Sequence, residues 1–342
     1  MNLWEKIDGL IETGIEKNIY PGATLLIGKG NKVVYSKEYG KLSKDTNSPK
    51  VTIKTVYDIA SLTKVVTVVS SIMKLLSEGI ISLEDPVYLY LNEFQDRKDI
   101  LIIHLLTHTS GLPAYSELWK EKTENELLKG ILEIQPETEL FDRFEYSCLN
   151  YIILRAMVER ITSVSFDKYC KEEILEPLNM EYTTFNPDPS LKNIAPTSIR
   201  NGKTLKGKPD DELAYYLGGI GGNAGCFSNV HDLFNYLIGL KEGTLFPQKI
   251  FNEFTSRVIT IKDVKTHIGW RSPGTGKSAG DFLHTRAYGH TGFTGTSIWV
   301  DPESDISVIL LTNRTNIERW ETIPQMQSIR RRLHNLVFAY MN

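Results

Sequence analysis

The chain has 342 residues, 41% of them hydrophobic and 24% charged, with a formal net charge of −3. That length buries a core large enough for one large domain or two interleaved ones. The small net charge, carried by mixed signs, excludes the electrostatic footprint of a nucleic-acid binder or of a protein held on an anionic membrane.

Residues 3–17 carry acidic groups within an amphipathic pattern and no continuous apolar stretch. They predict a helix rather than a signal peptide or membrane span. "ATLLIGKGNKVVYSKEYG", Ala23–Gly40, places two apolar runs around a Gly-Lys-Gly-Asn turn and predicts a β-hairpin. Next comes "DIASLTKVVTV", Asp58–Val68, in which Leu62, Val65, Val66, Val69, Ile72, Met73 and Leu76 repeat with helical spacing. Val68 and Leu75 widen the apolar surface, and Gly79 stands in the usual stop position. Three residues of helix advance about 300°, so Ser61 and Lys64 lie a turn apart on nearly one face. A lysine buried there is costly unless it has a partner or a task.

The middle of the chain reads as mostly helical, with many turn signals and no repeats. "GTSIWVDPESDISVILLTN", Gly295–Asn313, predicts a second hairpin turning at Asp301–Asp305. A C-terminal amphipathic helix follows, with Met326, Ile329, Leu333, Leu336 and Tyr340 as its inner stripe and Arg330–Arg332 as a solvated polar face. Strands at both ends and helices between them predict an α+β fold (an α/β sandwich). An antiparallel sheet built from both chain ends is flanked by helices, and a mostly helical domain is inserted. The expected division is 1–85 with 256–342 for the sheet domain and 86–255 for the insert. The terminal helices would cover one face of the sheet and the Ser61 helix the other.

Cys148, Cys170 and Cys226 are odd in number and widely spaced, which argues against a disulfide framework or zinc cage. A cytoplasmic protein with reduced thiols is expected. His104 and His108 in "HLLTH" have a zinc-compatible spacing, but the glutamate of H-E-x-x-H and a third ligand are missing. Ser110 lacks the flanking glycines of a nucleophile elbow. "GTGKS", Gly274–Ser278, ends like a P-loop, yet Arg271 occupies the position of its first glycine. No metal or cofactor is expected.

Ser61-x-x-Lys64 gains meaning from its place at a helix start, where free N–H groups and the helix dipole stabilise negative charge. Two other segments complete a chemical set. "FEYSCLNYIIL" puts Tyr146 just before an apolar helical run, with Ser147 at the N-cap position, and "YGHTGFTGTSIWVDP" puts His290, Thr291 and Gly292 ahead of the last strand pair. A serine nucleophile needs a base, an orienting group and oxyanion donors, and these segments contain all three.

With S-x-x-K, a tyrosine-led second motif and H-T-G in this order, the chain resembles the serine β-lactamase and penicillin-binding-protein superfamily. The tyrosine points to the branch of class C β-lactamases, D,D-peptidases, D-aminopeptidases and family VIII esterases. "LLTHTSGLP", "GGNAGCFSNVHDL" and "GHTGFTGTSIWVDP" extend the resemblance over roughly residues 5–340. It implies Ser61 as the acylated nucleophile, Lys64 and Tyr146 as the proton-transfer pair, and the N–H groups of Ser61 and Phe293 as the oxyanion hole. His290, Thr291 and Gly292 would bind substrate, with His290, titratable near neutrality, where many relatives carry lysine.

An isolated tyrosine or lysine is only about a thousandth deprotonated at pH 7. A cationic Lys64 favours a tyrosinate and burial favours a neutral lysine, so the sequence leaves a coupled pair rather than one named base. The second motif of β-lactam-processing relatives typically reads Tyr-x-Asn, and here the third position is Cys148. A thiol cannot reproduce the amide's hydrogen bonds to substrate. Asn150 lies about 200° further round the helix and is not expected to replace it. The expectation is therefore a serine hydrolase acting on a small-molecule carboxylic ester or small amide. A penicillin-binding D,D-peptidase or β-lactamase is the second reading. A non-turnover sensor module would be marked by a lost nucleophile or base, and neither is lost. Oligomeric state is not legible in the sequence.

Overall fold

The computed structural model describes residues 1–275 and 278–341. Gly276 and Lys277, within the P-loop-like stretch, lie outside the described residues. Helix α1, Leu3–Glu16, begins with a capping box: Asn2 accepts from the Glu5 N–H, and the Glu5 carboxylate accepts from the Asn2 N–H. Strands β1, Gly22–Lys29, and β2, Lys32–Gly40, form the first hairpin. The Ser61 helix is not α-helical throughout: Lys64–Val69 is wound as π-helix before α2, Ser70–Ser77, continues it. The principal later helices are α3, Cys148–Thr162, and α4, Val230–Glu242. Strands β3, Tyr288–Thr291, β4, Ser297–Asp301, and β5, Ile306–Thr312, precede the final helix α5, Ile323–Met341.

The five strands make one antiparallel sheet in the order β3-β4-β5-β1-β2. Pairing of β1 with β5, Leu25 opposite Leu310 and Ile27 opposite Val308, joins the two ends of the chain. Alternation then sorts the side chains. Ala23, Leu25 and Ile27 with Ile306, Val308 and Leu310 pack under α1 and α5. Leu26, Ile309 and Leu311 face the opposite way, into the larger core shared with the π/α2 helix and α3. Helix α4, from within residues 86–255, also lies on the sheet, and a Cβ at Gly28 would run into the Phe234 ring. Among the described residues no helix is long and apolar enough to cross a membrane.

Two expectations about α5 need correcting. Tyr340 is exposed and meets Lys6 at the surface, while Val337 and Phe338 complete the inner stripe. Arg330 is not on the solvated face. It is 5% exposed and turned inward, because the carbonyls of Gly292 and Thr296 accept from its guanidinium.

Candidate active site

Ser61 stands at the turn between the short strand Tyr57–Asp58 and the π-helix. Ala60 before it has φ 46°, a conformation L residues adopt at a cost. Asp58 holds this bend by accepting from the Ala60 N–H at 2.9 Å, and the Thr63 N–H donates to the Ala60 carbonyl at 3.0 Å. Across from it, the β3–β4 turn is stitched to the same segment. Thr294 Oγ1 donates to the Asp58 carbonyl at 2.7 Å and Thr296 Oγ1 to the Ile59 carbonyl at 3.1 Å. The approach is close enough that a Cβ at Gly292 would lie 2.6 Å from the Ile59 oxygen. Glycine is required there for that reason. The N–H groups of Ser61 and Phe293 have no acceptor among the described residues, and both residues line the same cavities.

Lys64 has no solvent exposure. Its Nζ donates to Ser61 Oγ at 3.1 Å and to the Asn223 carbonyl at 2.8 Å, and lies 3.8 Å from Cys148 Sγ. Burial works against its charge. Cys148 and Tyr146 in their ionised forms, with Asp211, outweigh that and hold the ammonium above its ordinary value. The Tyr146 ring is 5.0 Å from Nζ, and its buried hydroxyl favours the Lys64 ammonium but meets full hydrogen-bond geometry with no group among the described residues. Burial pushes the Cys148 thiol up despite Lys64, so it stays protonated at neutral pH.

His290 departs from the expectation of a group titrating near neutrality. It is 1% exposed, and burial, Arg271 and Lys64 drive its pKa well below the ordinary value. Its Nδ1 lies 3.1 Å from the Thr291 carbonyl, an acceptor only, so the neutral ring carries its proton on Nδ1. Its ring is 5.9 Å from that of Tyr146. Thr291 and Gly292 line a cavity with Ser61, and Cys148 lines its neighbour. Asn150 is turned away, accepting from Ser110 Oγ at 2.8 Å. Ser147 occupies the N-cap position of α3, but its hydroxyl donates to the Pro113 carbonyl instead of capping. His104 and His108 accept from the N–H groups of Leu101 and Ser147, which makes them local braces.

Two cavities meet at Ser61, Tyr146 and Phe293. One, of about 490 Å³, is lined by Arg271, Arg314 and Arg330 and, among the described residues, by no carboxylate. The other, of about 440 Å³, has Tyr115, Trp119 and Trp320 with Asp210, Asp211 and Glu212 in its wall. Sequence reading missed Arg271, whose guanidinium lies 4.7 Å over the Tyr146 ring, and Asn223, whose amide donates to Asp211 at 2.9 Å. Only the quoted "GGNAGC" hinted at Asn223, and no sequence signal singled out Arg271.

The family model described as Beta-lactamase matches residues 7–324, most of the chain. The chain belongs to that family. Among curated relatives, a protein of Salmonella heidelberg (strain SL476) named "Putative D-alanyl-D-alanine carboxypeptidase" is 30% identical, with 90% of this chain and 82% of that one covered. Among solved structures, the octameric penicillin-binding protein homologue from Pyrococcus abyssi superposes with TM-score 0.79 at 24% identity, covering 98% of this chain and 77% of that one. EstCE1, a hydrolase with promiscuous acyltransferase activity, superposes with TM-score 0.78 at 20% identity, covering 98% of both chains. These two likenesses show the fold, which is that of the β-lactamase and penicillin-binding proteins. This family member is a serine hydrolase of the β-lactamase-related superfamily.

Proposed function

We propose that the enzyme hydrolyses a carboxylic ester or small amide through an acyl-enzyme on Ser61. The observation that carries this reading is the fully buried Lys64 ammonium 3.1 Å from Ser61 Oγ. Held cationic, Lys64 donates to the serine oxygen and cannot take its proton. The acceptor is the Tyr146 oxygen, entering the reaction as the phenolate that the adjacent Lys64 cation favours. As the Ser61 O–H bond breaks and the O–C bond forms, the carbonyl oxygen takes up negative charge between the Ser61 and Phe293 N–H groups. Collapse expels the leaving group, which receives the proton through the Tyr146/Lys64 pair. Water repeats the sequence, with the acid as product and Ser61 regenerated. The reaction so written uses no cofactor.

Intact-protein mass spectrometry after exposure to a nitrophenyl butyrate ester and, separately, penicillin G tests this. Rapid nitrophenol release with a transient butyryl adduct, both absent in Ser61→Ala, is the expected result. Unchanged turnover in Ser61→Ala would remove the assignment.

One observation favours a D,D-carboxypeptidase as the second reading. Arg271 lines the cavity beside Ser61 and Thr291, and among the described residues its buried Nε has no partner and no carboxylate lines that cavity. A substrate carboxylate would satisfy it bidentately. Release of D-alanine from an N-acyl-D-alanyl-D-alanine, lost in Arg271→Met while butyrate ester hydrolysis persists, would establish that reading over the first.

A further inference from the structure

The arginine of α5 that the sequence placed in solvent lies instead behind the β3–β4 turn. Arg330 Nη2 donates to the Gly292 carbonyl and to the Thr296 carbonyl, each at 2.9 Å. The Gly292 carbonyl belongs to the same peptide unit as the Phe293 N–H. A trans peptide is planar with its C=O and N–H pointing in opposite directions. A donor that anchors the oxygen therefore turns the N–H the opposite way, away from Arg330, and Phe293 lines with Ser61 the second cavity, whose wall does not include Arg330. The Gly292 N–H donates to the Thr296 carbonyl at 2.7 Å, so the guanidinium clasps both arms of the turn.

The charge adds to the aim. Arg330 is buried without an ion pair to a carboxylate among the described residues, and burial with Arg314 and Arg271 nearby brings its pKa down to about 9. It is still cationic at neutral pH. A cation on a peptide carbonyl polarises the unit and makes its N–H a stronger donor, an effect enlarged where the local dielectric is low. A buried arginine held by neutral carbonyls is expensive for stability alone. Arg314 makes a parallel arrangement one residue on, its Nε and Nη2 donating to the Phe293 carbonyl at 2.9 and 2.6 Å.

We infer that Arg330 is a positioning residue for the oxyanion hole, anchoring and polarising the Gly292–Phe293 peptide from behind so that its N–H faces the developing oxyanion. The inference rests on the acyl-enzyme reading, with Phe293 N–H as an oxyanion donor. It predicts a loss confined to the transition state, since the ground-state carbonyl draws little on that donor.

The test uses Arg330→Gln, Arg330→Lys and Arg330→Ala with nitrophenyl butyrate as substrate and an alkyl boronic acid as tetrahedral analogue. Arg330→Gln keeps a donor and removes the charge. Its kcat should fall about tenfold or more, with KM within about twofold and boronate affinity weakened in parallel. Arg330→Lys should lie between it and the wild type. Added guanidinium ion should restore part of the kcat of Arg330→Ala through the cavity. Wild-type kcat and boronate affinity in Arg330→Gln would overturn the inference, as would a loss seen in KM alone, which would make Arg330 a ground-state substrate contact. If Arg330→Gln does not fold, the kcat and boronate affinity of Arg330→Lys decide by the same criteria. The serine mechanism is checked separately by the wild-type acyl adduct on Ser61. Its absence would overturn both, whereas its presence with an unaffected Arg330→Gln overturns this inference only.

Discussion

Lys64 reaches Ser61 Oγ from a position closed to solvent, and its second strong hydrogen bond goes to the backbone carbonyl of Asn223. The charge is thus held by a neutral oxygen and by the dipoles and anionic tendencies around it, not by a direct salt bridge. The desolvation cost of such a cation is offset by these surroundings, and its proposed task is the acylation of Ser61.

Lys64→Met tests both points. Acylation of Ser61 by nitrophenyl butyrate should fall by about 10³-fold or more. The urea midpoint should fall modestly, since methionine leaves the buried Asn223 carbonyl without its donor and removes an ammonium that its surroundings favour. A variant that is much less stable but still acylates would mean that the lysine is structural.

The hydroxyl of Tyr146 contributes no hydrogen bond to the fold among the described residues. Tyr146→Phe removes a buried unpartnered polar atom, so the melting temperature should stay the same or rise. The acylation rate constant, read by stopped-flow nitrophenol release, should drop by about 10²-fold or more. A wild-type rate would move the proton-acceptor role to Lys64.

Stability should fall as the pH drops below about 6.5. His108, His290 and His334 are buried neutral with depressed pKa values, that of His334 about 4, and His104 and His267 are also lowered. Below the unfolded value the unfolded chain binds protons that the folded chain refuses. The contribution is complete above about pH 6.5 and is lost as pH falls toward the folded values, for His334 on the order of 3 kcal/mol by pH 4. Asp58 and Asp232 act in the opposite direction, because burial raises the pKa of both, that of Asp58 to about 7, and the folded form then takes up protons first; His284, raised by its hydrogen bond to Asp301, does the same. Five depressed histidines, three of them fully buried, outweigh these groups. The urea midpoint should be lower at pH 5 than at pH 7.5, and an equal or higher midpoint at pH 5 would contradict the burial argument.

Cys148 lines the aromatic cavity with its thiol 3.8 Å from Lys64 Nζ. Cys148→Asn supplies the amide donor and acceptor that a thiol lacks. The rate of penicillin G adduct formation should rise relative to butyrate ester hydrolysis. An unchanged ratio would mean that the cavity walls, rather than the missing amide, set the preference.

Local order in the chain determined a good deal of this protein. Helical periodicity placed Ser61 and Lys64 on one face, and the hairpins at Gly30–Asn31 and Asp301–Asp305 set two strand pairs. Each of these depends on residues a few positions apart, where spacing is geometry. Tertiary structure decided the rest. Arg330 looks like any solvent arginine until the Gly292 and Thr296 carbonyls, more than thirty residues away, are brought beneath it. His290 looks titratable until burial and two cations surround it. Arg271 and Asn223 carry no local signature, because their partners, Tyr146 and Lys64, come from distant segments. Charge state and hydrogen-bond partner are properties of an environment, and only packing creates that environment.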